Sequence, residues 1–236
     1  MNSTLTKHTT VSPSDWMTAG AEFLAKEKAF TKARDEINRL RRELPWTRVD
    51  TEYTFETNDG PKKLADLFGD KSQLLAYHFM YEPGDAEGCP GCSFVCDHVD
   101  SARQHFEHHD IAFVAVSRAP LAEFQAYKKR MGWTFDWVSS AGTSFNYDFG
   151  VSFHRNDLDA GPVVYNFKEQ TLRSEEQPGL TVFVKGEDGA IYRTYSTYER
   201  GLDMLLTAYH YIDLTPLGRN ESGPMDWVQR HDQYGG

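Results

Sequence analysis

Two of the three cysteines in this 236-residue chain lie in one tetrapeptide, Cys89-Pro90-Gly91-Cys92. The tetrapeptide stands between an apolar run at 74–80, which predicts a buried strand, and an amphipathic run at 95–106, which predicts a helix. A thiol at a helix N-terminus faces unpaired backbone N–H groups and the positive end of the helix dipole, which favour its reactive thiolate form. The motif therefore predicts a redox pair, with Cys89 as the nucleophile and Cys92 as the resolving thiol.

A metal site is the competing interpretation of the same cysteines. Structural zinc requires four ligands, and the nearest additional candidates are Cys96, His98 and His78. The sequence contains no second C-x-x-C motif to complete such a set. We therefore expect neither a metal nor another cofactor, and we expect Cys96 to be a buried free thiol.

The elements around the tetrapeptide predict how it is held. A second apolar run at 111–116 predicts another buried strand, so that the region is a strand–helix–strand crossover unit. A second helix is expected over 121–131. Two β-type runs at 181–184 and 191–195 flank a turn at 186–189 and predict a hairpin, and a helix is expected over 201–210. The order β-α-β followed by β-β-α around a C-x-x-C motif predicts an α/β, thioredoxin-like fold with a central mixed sheet flanked by helices.

Two residues outside the motif are candidates for its chemistry. A thioredoxin-type site has a proline before the strand that faces the cysteines, and Pro178 occupies that position. We expect the peptide bond before Pro178 to be cis. The backbone there would then be free to form hydrogen bonds with a substrate chain. Pro178, Pro90 and Gly91 are therefore the predicted substrate-binding residues. His78, near the end of the first strand, is a candidate proton shuttle to Cys89.

Both ends of the chain are expected to differ from the domain between them. Residues 14–44 predict one long helix, capped by Ser12 and stopped before Pro45. Its apolar residues recur at alternating spacings of three and four, interrupted only by Lys26. The apolar stripe either packs on its own domain or packs against a second subunit in a homodimer. We divide the chain into a helical extension (1–45), a thioredoxin-like domain (46–214) and an irregular tail (215–236).

Composition and charge exclude several classes of function. The formal net charge is −10, so the field of the whole molecule repels nucleic acid and anionic lipid. Residues 1–8 lack the apolar core of a signal peptide, and no run approaches the ~18 apolar residues of a membrane span. We therefore expect a cytoplasmic protein whose partner is a disulfide-containing protein or small molecule.

Several strings along the chain together resemble one bacterial thioredoxin-like family, which is catalogued as a domain of unknown function. Its members are described as predicted dithiol-disulfide isomerases. The resemblance covers nearly the whole chain and implies a thioredoxin-like fold with a presumed thiol–disulfide activity. The strings are Tyr77-His78-Phe79-Met80, the C-x-x-C motif with Ser93, Ser117-Arg118-Ala119-Pro120-Leu121, Arg130-Met131-Gly132-Trp133, Trp137-Val138-Ser139-Ser140, Phe145-Asn146-Tyr147-Asp148-Phe149, Tyr195-Ser196-Thr197-Tyr198, Asp213-Leu214-Thr215-Pro216 and Met225-Asp226-Trp227-Val228.

Three functions compete at this point. The first is a thiol–disulfide oxidoreductase. The second is a peroxiredoxin-like thiol peroxidase, although related sites carry Thr or Ser three residues before the reactive cysteine and this chain has Ala86, with no basic residue adjoining Cys89. The third is a non-enzymatic binding module that uses Trp133, Trp137 and the aromatic residues of 145–153 as a surface.

Overall fold

The computed structural model describes residues 8–235 of the chain. The first seven residues of the predicted extension and the last residue of the predicted tail lie outside this range. Within it, the strands are β1 (Thr47–Arg48), β2 (Thr54–Thr57), β3 (Gly60–Lys63), β4 (Gln73–His78), β5 (Ile111–Ser117), β6 (Asp136–Ser139), β7 (Val163–Tyr165), β8 (Lys168–Gln170), β9 (Gly179–Lys185) and β10 (Ile191–Tyr198). The α-helices are α1 (Pro13–Arg42), α2 (Pro90–Cys96), α3 (Val99–His108), α4 (Leu121–Met131), α5 (Phe145–Asp148), α6 (Arg155–Ala160) and α7 (Thr207–Asp213).

Eight of these strands form one mixed sheet in the order β1-β10-β9-β4-β5-β6-β2-β3, and β7 pairs with β8 separately. The strands β4 and β5 are parallel and are joined through α2 and α3. On the other side of β4, β9 is antiparallel to both β4 and β10. This arrangement confirms the thioredoxin-like α/β fold that the order of the elements predicts. It places the C-x-x-C motif in the connection that leaves the central strand β4.

The side chains of β4 divide between two apolar clusters, because successive residues of a strand point to opposite faces of the sheet. Tyr77, and Phe79 just beyond the end of β4, enter the cluster that contains Cys92 and the aromatic residues of α4 and β6. Leu74 and Ala76 enter the other cluster, with Phe145 and Phe183. The dithiol therefore belongs to one face of the sheet only.

The long N-terminal helix is confirmed, and α1 runs over thirty residues. The Ser12 side chain caps it by accepting a hydrogen bond from the backbone N–H of Asp15 at 3.2 Å. No residue of α1 is buried, and only Asn38 and Arg41 are half-buried. The alternative in which the apolar stripe packs on its own domain is therefore wrong for the described part of the chain. The helix contacts the domain near its C-terminal end, where the Arg41 guanidinium lies 4.8 Å from the centre of the Tyr195 ring.

Two predicted helices are interrupted in the structure. The helix after Cys89 breaks into α2 and α3, because the ring Nδ1 of His98 donates a hydrogen bond to the Phe94 carbonyl oxygen at 2.6 Å. The His98 backbone N–H turns instead to the Val95 carbonyl at 3.1 Å. The helix expected over 201–210 is a 3-10 helix (Glu199–Leu205) followed by α7, and it breaks at Leu206, whose ψ of 82° is not helical.

The tail packs against the domain through Val228, which is buried, and ends in a short 3-10 helix (His231–Gln233). Within residues 8–235, no helix combines the length and the apolar character needed to cross a bilayer.

Candidate functional site

Cys89 is the N-cap residue of α2, and Pro90 occupies the first helical position. Proline fits there because its missing N–H is one of the groups that a helix start leaves without a partner. The Cys89 carbonyl accepts the backbone N–H of Ser93 at 2.9 Å and its hydroxyl at 2.8 Å, which anchors the first turn. The start of α2 therefore holds Cys89 at the mouth of the helix, partly exposed, as the motif predicts.

The surroundings of Cys89 favour its thiolate. A hydrogen bond from the Cys92 thiol is the main cause that lowers the pKa of Cys89 to about 6. Burial opposes this, while the backbone N–H groups of Cys92 and Gly91 and the charge of Arg230 assist it. At neutral pH the thiolate of Cys89 is therefore the main form, which is the form that attacks disulfides.

Cys92 has the opposite character. It is 2% exposed, and burial together with the neighbouring Cys89 raises its pKa well above the ordinary value. The backbone N–H of Met80 points at its sulfur at 3.5 Å. The pair is therefore asymmetric, with one accessible thiolate and one buried thiol that keeps its proton.

The tail contributes a cation that the sequence did not indicate. The Arg230 guanidinium donates two hydrogen bonds to the Gly88 carbonyl, at 2.7 and 3.1 Å, one residue before Cys89. Arg230 and Arg130 both pair with Glu87, whose charge would otherwise oppose the thiolate. No basic residue adjoins Cys89 in the sequence, but the structure brings Arg230 to it from about 140 positions further along the chain.

A cavity of about 460 Å³ opens beside the two cysteines. Pro178 and Gly91 line it, so that the structure brings these predicted substrate-binding residues to the dithiol. The Gln177–Pro178 peptide bond is trans, and the expectation of a cis bond is wrong. The backbone here is already engaged, because the Pro178 carbonyl accepts the Tyr165 hydroxyl at 2.7 Å.

His78 lies away from the dithiol. As the neighbour of Tyr77 on β4, it points to the opposite face of the sheet, where its ring stacks on Phe149. Its Nε2 is 2.9 Å from the Thr181 hydroxyl. Burial lowers the pKa of His78 to about 3, so it stays neutral at physiological pH. The structure therefore does not place it where a proton shuttle to Cys89 would have to be.

The aromatic residues expected for a binding surface are mostly core residues. Trp133 and Trp137 are buried, and Trp137 stacks on Phe124 with ring centres 4.5 Å apart. Cys96 is completely buried, and burial raises its pKa well above the ordinary value. In the described part of the chain, no group of three or more histidines, cysteines and carboxylates is arranged to hold a metal ion.

Sequence reasoning missed Tyr77, Met225 and Arg230. Tyr77 is 1% exposed and lines the cavity, and its hydroxyl lies beside the Cys92 thiol, whose pKa it lowers against the effect of burial. Strand alternation could have identified it, because it shares a face of β4 with Phe79. No local signal marks Met225 or Arg230, since both reach the site from the tail.

The family model described as a bacterial protein of unknown function, DUF899, matches residues 5–234. The chain belongs to this family. No curated protein matches the sequence.

Several solved structures are similar to the chain. Peroxidoxin BcpB from Mycobacterium tuberculosis is 15% identical with a TM-score of 0.46, and the match covers 72% of this chain and 97% of that one. A variant of PrxQ from Xylella fastidiosa is 15% identical with a TM-score of 0.42, covering 67% and 88%. A proposed protein disulfide isomerase from Bacteroides thetaiotaomicron is 14% identical with a TM-score of 0.41, covering 71% and 91%.

Proposed function

We propose that this DUF899 protein is a thiol–disulfide oxidoreductase that uses Cys89 and Cys92. The supporting observation is the asymmetry of the pair, with a pKa of about 6 at accessible Cys89 and a raised pKa at buried Cys92. Thiol–disulfide exchange needs this difference in pKa, because the attacking sulfur must be a thiolate while the resolving thiol stays protonated until the mixed disulfide has formed.

The reaction is written for reduction of a disulfide R–S–S–R. The Cys89 thiolate attacks one sulfur, the substrate S–S bond breaks, and the first RS⁻ leaves while a mixed disulfide forms. Cys92 then gives its proton to the departing thiolate and attacks the Cys89 sulfur, which releases the second RS⁻. The second RS⁻ takes up a proton from water, which replaces the proton that Cys89 lost on ionising. One protein dithiol and one R–S–S–R thus give one protein disulfide and two RSH. The reverse sequence oxidises a dithiol substrate.

The test is a single-turnover reaction of the reduced protein with a model disulfide, followed by mass spectrometry. Wild type should lose two hydrogens and release two thiols. Cys89→Ser should release none, and Cys92→Ser should accumulate the mixed disulfide at Cys89. Cys96→Ser is the matched control, since Cys96 is buried in the core, and it should behave as wild type. Activity of Cys89→Ser equal to wild type would refute the proposal.

A thiol peroxidase is the second candidate, and Arg230 is the observation that favours it. Its charge lies close enough to Cys89 to lower the pKa of the thiol. Against it, Ala86 is exposed and supplies no hydroxyl for a bound peroxide. Dilute hydrogen peroxide followed by a sulfenic-acid probe separates the two functions. Rapid labelling of Cys89, at a rate well above that of a free thiol, would favour the peroxidase.

A further inference from the structure

The tail closes over the dithiol and limits what can reach it. Met225 lies against the start of α2, where its sulfur would be 3.1 Å from a Cβ placed on Gly91. Beyond it, Arg230 is bonded to the Gly88 carbonyl and Asp232 to Arg130 at 2.6 Å. Part of the surface around Cys89, which an extended protein substrate would have to cover, is thus occupied by the tail.

One carboxylate holds the tail in this position. Oε2 of Glu221 accepts three hydrogen bonds, from the Tyr209 hydroxyl at 3.1 Å, the Met225 backbone N–H at 3.1 Å and Trp227 Nε1 at 3.2 Å. The Trp227 ring also meets Phe94 of α2 edge-on, with centres 5.8 Å apart. The cover is therefore a packed part of the fold.

The backbone next to Pro178 is also occupied. The Gln177 N–H donates to the Val151 carbonyl at 2.8 Å, and the Pro178 carbonyl accepts the Tyr165 hydroxyl. A substrate chain that adds as a strand needs such backbone groups for its own hydrogen bonds. Their engagement argues against a protein disulfide as the substrate.

The cavity itself fits a small molecule. Its volume of about 460 Å³ is within the range of about 300–1,000 Å³ that ligand pockets occupy. The walls near the cysteines are apolar and include Val95, Leu202 and Met225. The buried Tyr77 hydroxyl lies in this lining beside the Cys92 thiol, where it can also donate a hydrogen bond to a polar atom of a bound molecule.

The charges at the rim do not favour an anion. Arg219 is held by Asp203 at 2.9 Å and by Asp213 at 2.8 Å, and Arg200 pairs with Asp203 as well. Glu199 and Glu221 add negative charge to the lining. Each arginine of the lining is therefore already neutralised, so carboxylate groups on a substrate would find no counter-charge there.

We propose that the substrate is a small, uncharged and largely apolar disulfide, or the dithiol formed from it, which enters the cavity between α2, Pro178 and the tail. The proposal rests on the proposed function and follows the same balanced exchange. The Tyr77 hydroxyl donates a hydrogen bond to a polar atom of the bound molecule, or to the sulfur that leaves Cys89.

The test compares three disulfides in single turnover with the reduced full-length protein at pH 7. They are neutral 4,4′-dithiodipyridine, dianionic 5,5′-dithiobis(2-nitrobenzoate) and insulin, each rate being divided by the rate of free dithiothreitol with the same reagent. The neutral compound should give a normalised rate at least about 10-fold above the dianion, with insulin slower than both. Equal rates, or a preference for insulin, would overturn the substrate class while leaving the oxidoreductase intact. Failure of all three would overturn the proposed function.

Two variants at the 3-10 helix before α7 locate the binding site. Leu202→Trp fills the cavity and should slow the neutral compound about 10-fold, while alkylation of Cys89 by the smaller iodoacetamide should slow much less. Met204 is on the same helix, half exposed and outside the cavity lining, so Met204→Trp is the matched control and should react as wild type. If Leu202→Trp does not fold, the relative rates of the wild-type protein with the three reagents still test the proposed substrate class.

A second inference rests on the exposed stripe of α1. Five large apolar residues recur at intervals of seven, and Trp16 and Phe30 are 66% and 68% exposed. Ala19, Lys26, Ala33 and Leu40 stand between them as the other line of a heptad pattern. The five large residues are Trp16, Phe23, Phe30, Ile37 and Leu44.

The pattern fits an antiparallel pair of α1 helices. In one register Trp16 lies opposite Leu40 of the second copy, Phe23 opposite Ala33, Phe30 opposite Lys26 and Ile37 opposite Ala19. Phe23 and Ile37 then each meet an alanine, and such large and small residues can interdigitate. Lys26, which interrupts the stripe, then lies against the Phe30 ring of the second copy. An aromatic ring attracts a cation in this position.

Charge favours the same orientation. The first half of α1 (13–27) has three acidic residues and one basic residue, and the second half (28–42) has six basic and two acidic residues. Antiparallel pairing places acidic halves on basic halves, whereas parallel pairing would place the basic halves together. We infer that α1 is an antiparallel dimerisation arm whose partner is a second copy of the chain.

Analytical ultracentrifugation of the full chain should show a dimer, and Phe23→Glu with Phe30→Glu should give a monomer. Phe167 is 74% exposed elsewhere, so Phe167→Glu is the control and should remain dimeric. Spin labels on Arg42→Cys, with the native cysteines replaced by serine, should be about 40 Å apart in the antiparallel dimer and about 10 Å apart in a parallel one. A monomeric wild type, or the short distance, would overturn the inference.

Discussion

The pKa of Cys89 gives the sharpest prediction. With a pKa of about 6, the thiolate of Cys89 persists down to that pH and is lost as the pH falls through it. At pH 7 about 90% of Cys89 is thiolate, against about 3% for an ordinary thiol with a pKa of about 8.5. A lower pKa also weakens the nucleophile, by roughly 10- to 18-fold over these 2.5 units. The net advantage is thus about 2-fold at pH 7, rising to about 20-fold below pH 6.

The assay is therefore a pH profile of iodoacetamide alkylation, followed at the Cys89 peptide by mass spectrometry. The midpoint of the profile should be near 6. Cys92 and Cys96 should stay unmodified across this range, because burial raises the pKa of both. A midpoint at 8 or above would refute the reasoning.

Two variants separate the causes. Cys92→Ala removes the hydrogen bond that lowers the pKa most, so it should raise the midpoint more than Arg230→Met, which removes a smaller contribution. Cys92→Ser keeps a hydroxyl donor and is the matched control, with a midpoint between those of Cys92→Ala and wild type. A larger shift in Arg230→Met than in Cys92→Ala would contradict the assignment.

Three further predictions concern the fold around the site. A Cβ on Gly88 would lie 2.7 Å from the Tyr127 ring, so Gly88→Ala should cost about 1–3 kcal/mol in a urea titration and slow Cys89 alkylation. No loss of either quantity would show that the loop has room to move. Arg118 pairs with buried Glu176 at 2.6 Å, and burial raises the pKa of that carboxyl to about 7. Arg118→Met should therefore cost about 3 kcal/mol at pH 8, where the carboxyl is charged, and clearly less at pH 5, where it is neutral; an equal cost at both values would contradict the pairing. Trp137→Ala should cost about 3–5 kcal/mol and leave the alkylation midpoint in place, and a shifted midpoint would show that the core and the thiol are coupled.

Much of the fold could be predicted because its determinants are local. Ser12 and Pro13 predict where α1 begins, and the turn at 186–189 predicts the β9–β10 hairpin. The breaks in two helices could not be predicted, because they depend on distant partners. His98 leaves the helical pattern while it also accepts the backbone N–H of Ala208, which is 110 positions away.

The candidate site likewise contains residues that local sequence predicts and residues that only distant contacts place. Local sequence predicted Cys89 as an N-cap, since the motif and Pro90 are sufficient to place it. The predicted role of His78 was wrong because both faces of β4 are buried, and a continuous apolar run does not show which of them carries the dithiol. Arg230 and Met225 were not found because their contacts with the start of α2 exist only after the tail has folded back.

The path of the tail has a consequence for biosynthesis. Arg230 is made about 140 residues after Cys89, and a ribosome that adds about 5–20 residues per second needs roughly 7–28 seconds to reach it. During that interval the nascent chain carries a dithiol without the wall of Met225 and without the nearby guanidinium. Both the full acidity of Cys89 and its protection from other thiols and proteins are thus acquired only after Met225 and Arg230 have been made.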